Sequence, residues 1–117
     1  MNILYVEDSP MDAELVQRYI KTTSHSVSIV NTLEEARQAL EMPIDLILVD
    51  VLLQENPTGR DFVQDLRRRG YAQPIIAITA MALAHDIEAC YEAGFTDVLT
   101  KPYQISELKK IVSKYAE

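Results

Sequence analysis

The stretch DLILVDVLLQENPTG, Asp45 to Gly59, decides how the rest of the chain is read. Four apolar residues, Leu46 to Val49, run into Asp50, and three more, Val51 to Leu53, follow it. A carboxylate inside an apolar run is costly to bury without a partner. Asp50 therefore either turns the chain at a strand end or stands at an edge where something positive meets it. The run itself does not alternate, which is the pattern of a parallel strand covered on both faces.

Working outward, comparable apolar runs recur along the chain. Ile3–Val6, Val27–Val30, Ile44–Val49, Pro74–Ile78 and Asp97–Thr100 read as buried strands. The segments between them have helical spacing. Leu15, Val16, Tyr19 and Ile20 share one face of a helix from about Met11 to Lys21, opened by Ser9 and Pro10. Thr32 can cap a second helix with Glu35 as its capping-box partner and Ala36, Ala39 and Leu40 inward. Phe62, Val63 and Leu66 define a third, whose end, Arg67–Arg69 and Gly70, reads as a solvated helix stop. Leu83, Ile87 and Tyr91 space a fourth that Gly94 ends, and Ile105, Leu108, Ile111, Val112 and Tyr115 form the stripe of a fifth.

Five βα units predict an α/β fold, a single doubly wound parallel sheet with helices on both faces. The 117 residues, 48% apolar and 25% charged, suit one domain over residues 1–117. One cysteine, Cys90, allows no internal disulfide, and its helical setting reads as packing. No apolar run approaches the roughly 18 residues of a membrane span. The start of the chain turns acidic by Glu7, unlike a signal peptide, so a cytoplasmic location is expected. A net charge of −7 argues against a nucleic-acid partner. His25 and His85 have no ligand partner at metal spacing and read as surface residues.

In open parallel sheets the ligand lies outside the carboxyl ends of the strands. There the first strand offers Glu7 and Asp8, the third Asp50, the fourth Thr79 followed by Ala80, and the fifth Lys101 followed by Pro102. The second offers Asn31 and Thr32, a helix start. Three carboxylates on one rim repel one another unless a cation joins them. Mg²⁺ suits a site of few carboxylates and retained waters. A carboxylate beside such an ion can attack phosphorus, with a lysine and a hydroxyl stabilising the equatorial oxygens.

These residues, in the motifs ILYVEDS, DLILVD, PIIAITA and GFTDVLTKPY, resemble a response-regulator receiver domain, the phosphoacceptor module of two-component signalling. The resemblance covers essentially the whole chain. It implies a flavodoxin-like (βα)5 fold with strand order 2-1-3-4-5. It implies that Asp50 accepts the phosphoryl group and that Glu7, Asp8, Asp50 and the backbone carbonyl of Leu52 hold Mg²⁺. Thr79 would bind the phosphoryl group, Lys101 would pair with it or with Asp50, and the Lys101–Pro102 peptide would be cis.

The chain also departs from the family pattern. Val98 occupies the position, three before the lysine, where an aromatic switch residue is usual. Gln54 and Thr58 stand where the family commonly has proline and glycine, with Gly59 one place later, as if a residue were inserted. Leu52 and Met81 stand at the two positions that tune phosphate lifetime; neither can orient a water by hydrogen bonding, so weak autodephosphorylation is expected. With Ala80 and Pro102, Val98 and Met81 form the expected switch and tuning set.

The function expected is a phosphorelay switch, not an enzyme beyond its own phosphorylation and slow dephosphorylation. Its partners would be a histidine kinase or histidine phosphotransfer protein and a downstream effector. With the chain ending at Glu117 as the fifth helix completes, the output belongs to a partner or to a segment outside this sequence. A homodimer through the fourth helix, fifth strand and fifth helix is a further expectation, over a face including Ala84, Glu88, Lys109 and Lys110. The alternative is a receiver-like interaction module that needs no phosphate. A haloacid-dehalogenase-like phosphohydrolase is disfavoured, because its second aspartate would fall at Leu52.

Overall fold

A computed structural model describes residues 1–51, 59–80 and 83–116. Strands and helices alternate: β1 Asn2–Val6, α1 Pro10–Lys21, β2 Ser26–Val30, α2 Leu33–Ala39, β3 Leu46–Asp50, α3 Gly59–Arg68, β4 Ile75–Thr79, α4 Ala84–Ala93, β5 Asp97–Thr100 and α5 Ile105–Tyr115. All strand pairs are parallel, and the sheet order is β2-β1-β3-β4-β5. Each expected run appears as a strand, with β3 beginning at Leu46 rather than Ile44.

Because side chains alternate along a strand, the sheet divides its apolar residues between two layers. Leu4, Val6, Ile47, Val49, Ile75 and Ala77 face α2, α3 and α4 through Ala36, Phe62, Val63, Leu66, Cys90 and Ala93. Ile3, Tyr5, Leu46, Leu48, Ile76 and Ile78 face α1 and α5 through Val16, Tyr19, Ile20, Leu108 and Val112. Every residue of β3 and of β4 is buried, so these strands need apolar side chains on both faces. The expectation of burial is corrected for β2 and β5. As edge strands they are covered less, and Ser26 and Ser28 of β2 are exposed.

The helix caps follow the local sequence. Ser9 accepts a hydrogen bond from the Asp12 amide at 3.4 Å with Pro10 in the first turn, and Thr32 accepts one from the Glu35 amide at 3.1 Å. Glu35 reaches back to the Thr32 hydroxyl, which donates to it at 3.2 Å, so this half of the expected capping box closes on the side chain.

Three readings of helix faces are corrected. Leu15 is 44% exposed, and the buried face of α1 is formed by Val16, Tyr19 and Ile20. In α4 the buried residues are Cys90 and Ala93, while Tyr91 and the N-cap Leu83 are exposed. Arg67 is not merely solvated. It donates to the carbonyls of Gly94 (2.9 Å), Tyr71 (2.8 Å) and Gln73 (2.8 Å), and to the Thr96 hydroxyl (3.1 Å), tying the end of α3 to the approach to β5. Gly94 completes this tie, for its φ is +114° and a Cβ there would lie 2.8 Å from Arg67 Cγ.

The longer loop expected between Asp50 and Gly59 falls, from Leu52 to Thr58, outside the described residues. Among the described residues, no helix is long and apolar enough to cross a membrane.

Candidate functional site at the carboxyl edge of the sheet

The strand order brings β1, β3, β4 and β5 side by side, so the residues at their carboxyl ends share one rim. Glu7 follows β1, its amide donating to the Val30 carbonyl at 2.9 Å, and Asp8 comes next. Asp50 is the last residue of β3 and Thr79 the last of β4. Lys101 follows β5, its amide donating to the Thr79 carbonyl at 2.7 Å. Glu7, Asp50 and Thr79 are buried, and Asp8 is exposed.

Glu7, Asp8 and Asp50 each offer a carboxylate oxygen, and these oxygens lie within 4.8 Å of one another. The Lys101 ammonium donates to Glu7 Oε1 at 3.1 Å and to Asp50 Oδ2 at 3.4 Å. It also donates to Asp12 Oδ2 at 3.1 Å. Beneath the rim the buried Tyr5 hydroxyl donates to Glu7 Oε1 at 3.3 Å. Glu7 Oε1 is thus held by protein donors, while the buried Glu7 Oε2 has no hydrogen-bond partner among the described residues.

Burial, and then the hydrogen bond and charge of Asp50, push the Glu7 carboxyl up to about 8, with Lys101 pulling against them. Burial disfavours the Lys101 charge, but its contacts with Glu7, Asp12 and Asp50 outweigh this and hold its pKa above the ordinary value. Burial also acts against the Asp12 charge, and the Lys101 contact overcomes it, so that carboxyl is held below its usual range. Burial, reinforced by the Glu7 charge, pushes the Tyr5 phenol well above its ordinary value.

An orphaned buried carboxylate oxygen beside two further carboxylates is an all-oxygen donor set, and it fits a hard divalent cation such as Mg²⁺. The expected fourth donor, the carbonyl of Leu52, lies outside the described residues, as does Met81. Val98 pairs with Ala77 and packs into the α2–α3–α4 layer, two residues short of the rim position where Thr100 pairs with Thr79. Ala80 and Pro102 join Asp12, Leu15, Lys101 and Tyr103 around a groove of about 310 Å³ beside the lysine. The Lys101–Pro102 peptide is cis.

Two residues of this network escaped the sequence reading. Asp12, in the first turn of α1, and Tyr5, inside the apolar run of β1, were not singled out. The only available signal was positional: α1 departs from the rim, so its first turn stays near the strand ends. Residues set aside earlier remain remote from this network. His85 is exposed beside Asp86, His25 meets the N-terminal amine at 2.9 Å, and Cys90 is buried with its thiol pKa pushed up by burial.

Comparisons with known proteins agree with this architecture. The response regulator receiver domain family matches residues 3–113. The sensor histidine kinase RcsC of Salmonella typhi is 31% identical over 118 residues, spanning 100% of this chain and 12% of that protein. The transcriptional regulatory protein DcuR of Escherichia coli is 30% identical over 122 residues, spanning 100% of this chain and 51% of that protein. The chain thus spans an eighth to a half of the length of these relatives. Among solved structures, the receiver domain of sensor histidine kinase PA1611 from Pseudomonas aeruginosa is 33% identical, with a TM-score of 0.85 over 97% of this chain and 95% of that one. That structure carries a magnesium ion coordinated in its active-site cleft. With a family match over nearly its whole length, the chain belongs to the response regulator receiver domains, signalling modules of two-component systems rather than classical enzymes.

Proposed function

We propose that this receiver domain is a phosphoacceptor switch that takes a phosphoryl group onto Asp50 and changes its partner binding in response. The observation that carries the reading is the convergence of Lys101 on Glu7 and Asp50 at 3.1 and 3.4 Å, beside a carboxylate trio in which the buried Glu7 Oε2 has no partner among the described residues.

The donor would be a phosphohistidine on a histidine kinase or phosphotransfer protein. An Asp50 carboxylate oxygen forms the new P–O bond as the P–N bond breaks, and the electron pair of that bond leaves on the imidazole. Glu7, Asp8 and Asp50 would hold Mg²⁺, which, when bound, offsets the charge gathering around phosphorus. Lys101 contributes a fixed positive charge at the strand edge, and the Thr79 hydroxyl is available at the next strand to donate to a phosphoryl oxygen. Burial of Asp50 and Thr79 limits water at the new acyl phosphate.

The output would reach a downstream effector or an output segment outside this sequence. The magnesium ion in the similar PA1611 domain and the kinase and regulator contexts of the relatives support these assignments. For a homodimer through α4, β5 and α5, the exposed Ala84, Glu88 and Lys110 remain available. Lys109 is exposed too, and its ammonium lies 5.9 Å over the Tyr19 ring of α1.

Incubation with acetyl phosphate and Mg²⁺, followed by intact mass, tests the central step. Wild type is expected to gain one phosphoryl group and Asp50→Asn none. An adduct persisting in Asp50→Asn moves the acceptor to another residue. No adduct in wild type favours the phosphate-independent interaction module.

A further inference from the structure

A lysine ammonium has three N–H donors. Lys101 directs its own at three carboxylates: Glu7 Oε1 and Asp12 Oδ2, both at 3.1 Å, and Asp50 Oδ2 at 3.4 Å. Glu7 and Asp50 belong to the carboxylate trio, but Asp12 does not. It stands in the first turn of α1, where the Ser9 cap receives its amide, and its contact with the lysine is as short as that of Glu7.

We propose that Asp12 is a positioning residue of the phosphoryl site: it occupies one Lys101 N–H until a phosphoryl oxygen displaces it, and so sets how tightly the site holds phosphate. This rests on the reading of Asp50 as the phosphoacceptor.

A phosphoryl group on Asp50 brings oxygens that need an N–H from a lysine whose donors are already engaged. The Asp50 contact, the longest at 3.4 Å, weakens as its carboxylate becomes an acyl phosphate, and between the two remaining carboxylates burial decides which yields a further N–H. The Glu7 side chain is 0% exposed, so no water reaches it to replace the ammonium at its Oε1. The Asp12 side chain is 43% exposed, so water replaces the ammonium there at little cost. It also lines the groove beside Lys101 and Pro102, where a released carboxylate meets solvent. Asp12 is therefore the ligand that exchanges, and its negative charge competes with phosphate for the same ammonium.

The test is calorimetric titration of beryllofluoride, a phosphoryl mimic, into wild type, Asp12→Asn and Asp12→Ala at saturating Mg²⁺. Acetyl phosphate labelling is followed in parallel by intact mass. Both variants are expected to bind beryllofluoride about fivefold more tightly, the worth of one half-exposed ion pair, and to label at correspondingly lower acetyl phosphate. The same substitutions in a Lys101→Ala background should then have no effect, because no ammonium remains to be released. Where that background binds beryllofluoride too weakly to titrate, its labelling rates supply the comparison.

Unchanged or weaker binding in both single variants overturns the proposal. An equal gain without Lys101 also overturns it, by showing that Asp12 acts only as bulk charge. Absence of binding and labelling in wild type overturns the phosphoacceptor reading itself and takes this inference with it.

Discussion

At the scale of the residue, Lys101 does the most to make the rim tolerable. Without it, Glu7 and Asp50 would be buried carboxylates facing one another, and Glu7 Oε2 already lacks a partner among the described residues. Breaking a buried ion pair by removing one member costs about 3–5 kcal/mol. The Lys101 side chain is 22% exposed, and Glu7, with its pKa raised to about 8, can shed its charge by taking a proton. Those two features lower the expected cost of Lys101→Met, which keeps the apolar stem, to about 2 kcal/mol in metal-free buffer. Urea denaturation should show that loss, with millimolar Mg²⁺ recovering most of it. A Lys101→Met protein as stable as wild type without metal would rule out this account. Glu7, Asp8, Asp50, Thr79 and Lys101 were all legible in the sequence, because each sits at a strand end that periodicity alone locates. Asp12 was not, since nothing local distinguishes it from any acid that favours a helix N-terminus.

At the scale of the element, the lower half of the sheet edge is organised by Asp97 at the start of β5. Its carboxylate accepts from its neighbour's Val98 amide at 2.9 Å, from Lys114 at 3.2 Å and Tyr115 at 3.1 Å on α5, and from Tyr91 on α4 at 3.3 Å. Burial pushes the Asp97 carboxyl up, but the Val98 amide and the Lys114 and Tyr115 contacts outweigh it and hold the pKa below the ordinary carboxylate value. A carboxyl depressed in the folded state stabilises above its unfolded pKa, and that contribution is lost as pH falls through the folded value. Asp97→Asn should therefore cost stability at pH 7, and the gap from wild type should narrow below about pH 4. Denaturation at both pH values checks this, and a gap of equal size at the two would refute it. The element faces were read less well than the elements. In α4 the spacing of the large residues pointed to Leu83 and Tyr91, whereas close packing chose the smaller Cys90 and Ala93. The bulk of an apolar side chain says how much it would gain from burial, not whether the neighbouring helix leaves it room.

At the scale of the whole molecule, sheet order sets a gradient of burial. β3 and β4 are buried throughout and β1 from Ile3 onward, whereas β2 is an edge with exposed serines. Local opening is easiest where few apolar contacts are lost. Amide hydrogen exchange in the native state should therefore be slowest in β1, β3 and β4 and faster in β2; equal protection of β2 and β3 would contradict this picture. The same order makes the site. Residues from position 7 to position 101 meet because β1 and β3 pair at the centre and β4 and β5 follow on one side. By itself the sequence determined the elements, the parallel sheet and the chemical identity of the rim, since hydrophobic period and strand-end composition are local properties. Only the tertiary structure decided that Asp12 shares the lysine, that Tyr5 holds Glu7 from below and that Arg67 clips three carbonyls. Those contacts depend on the separation of atoms far apart in the chain, which packing sets to within tenths of an ångström and no local pattern encodes.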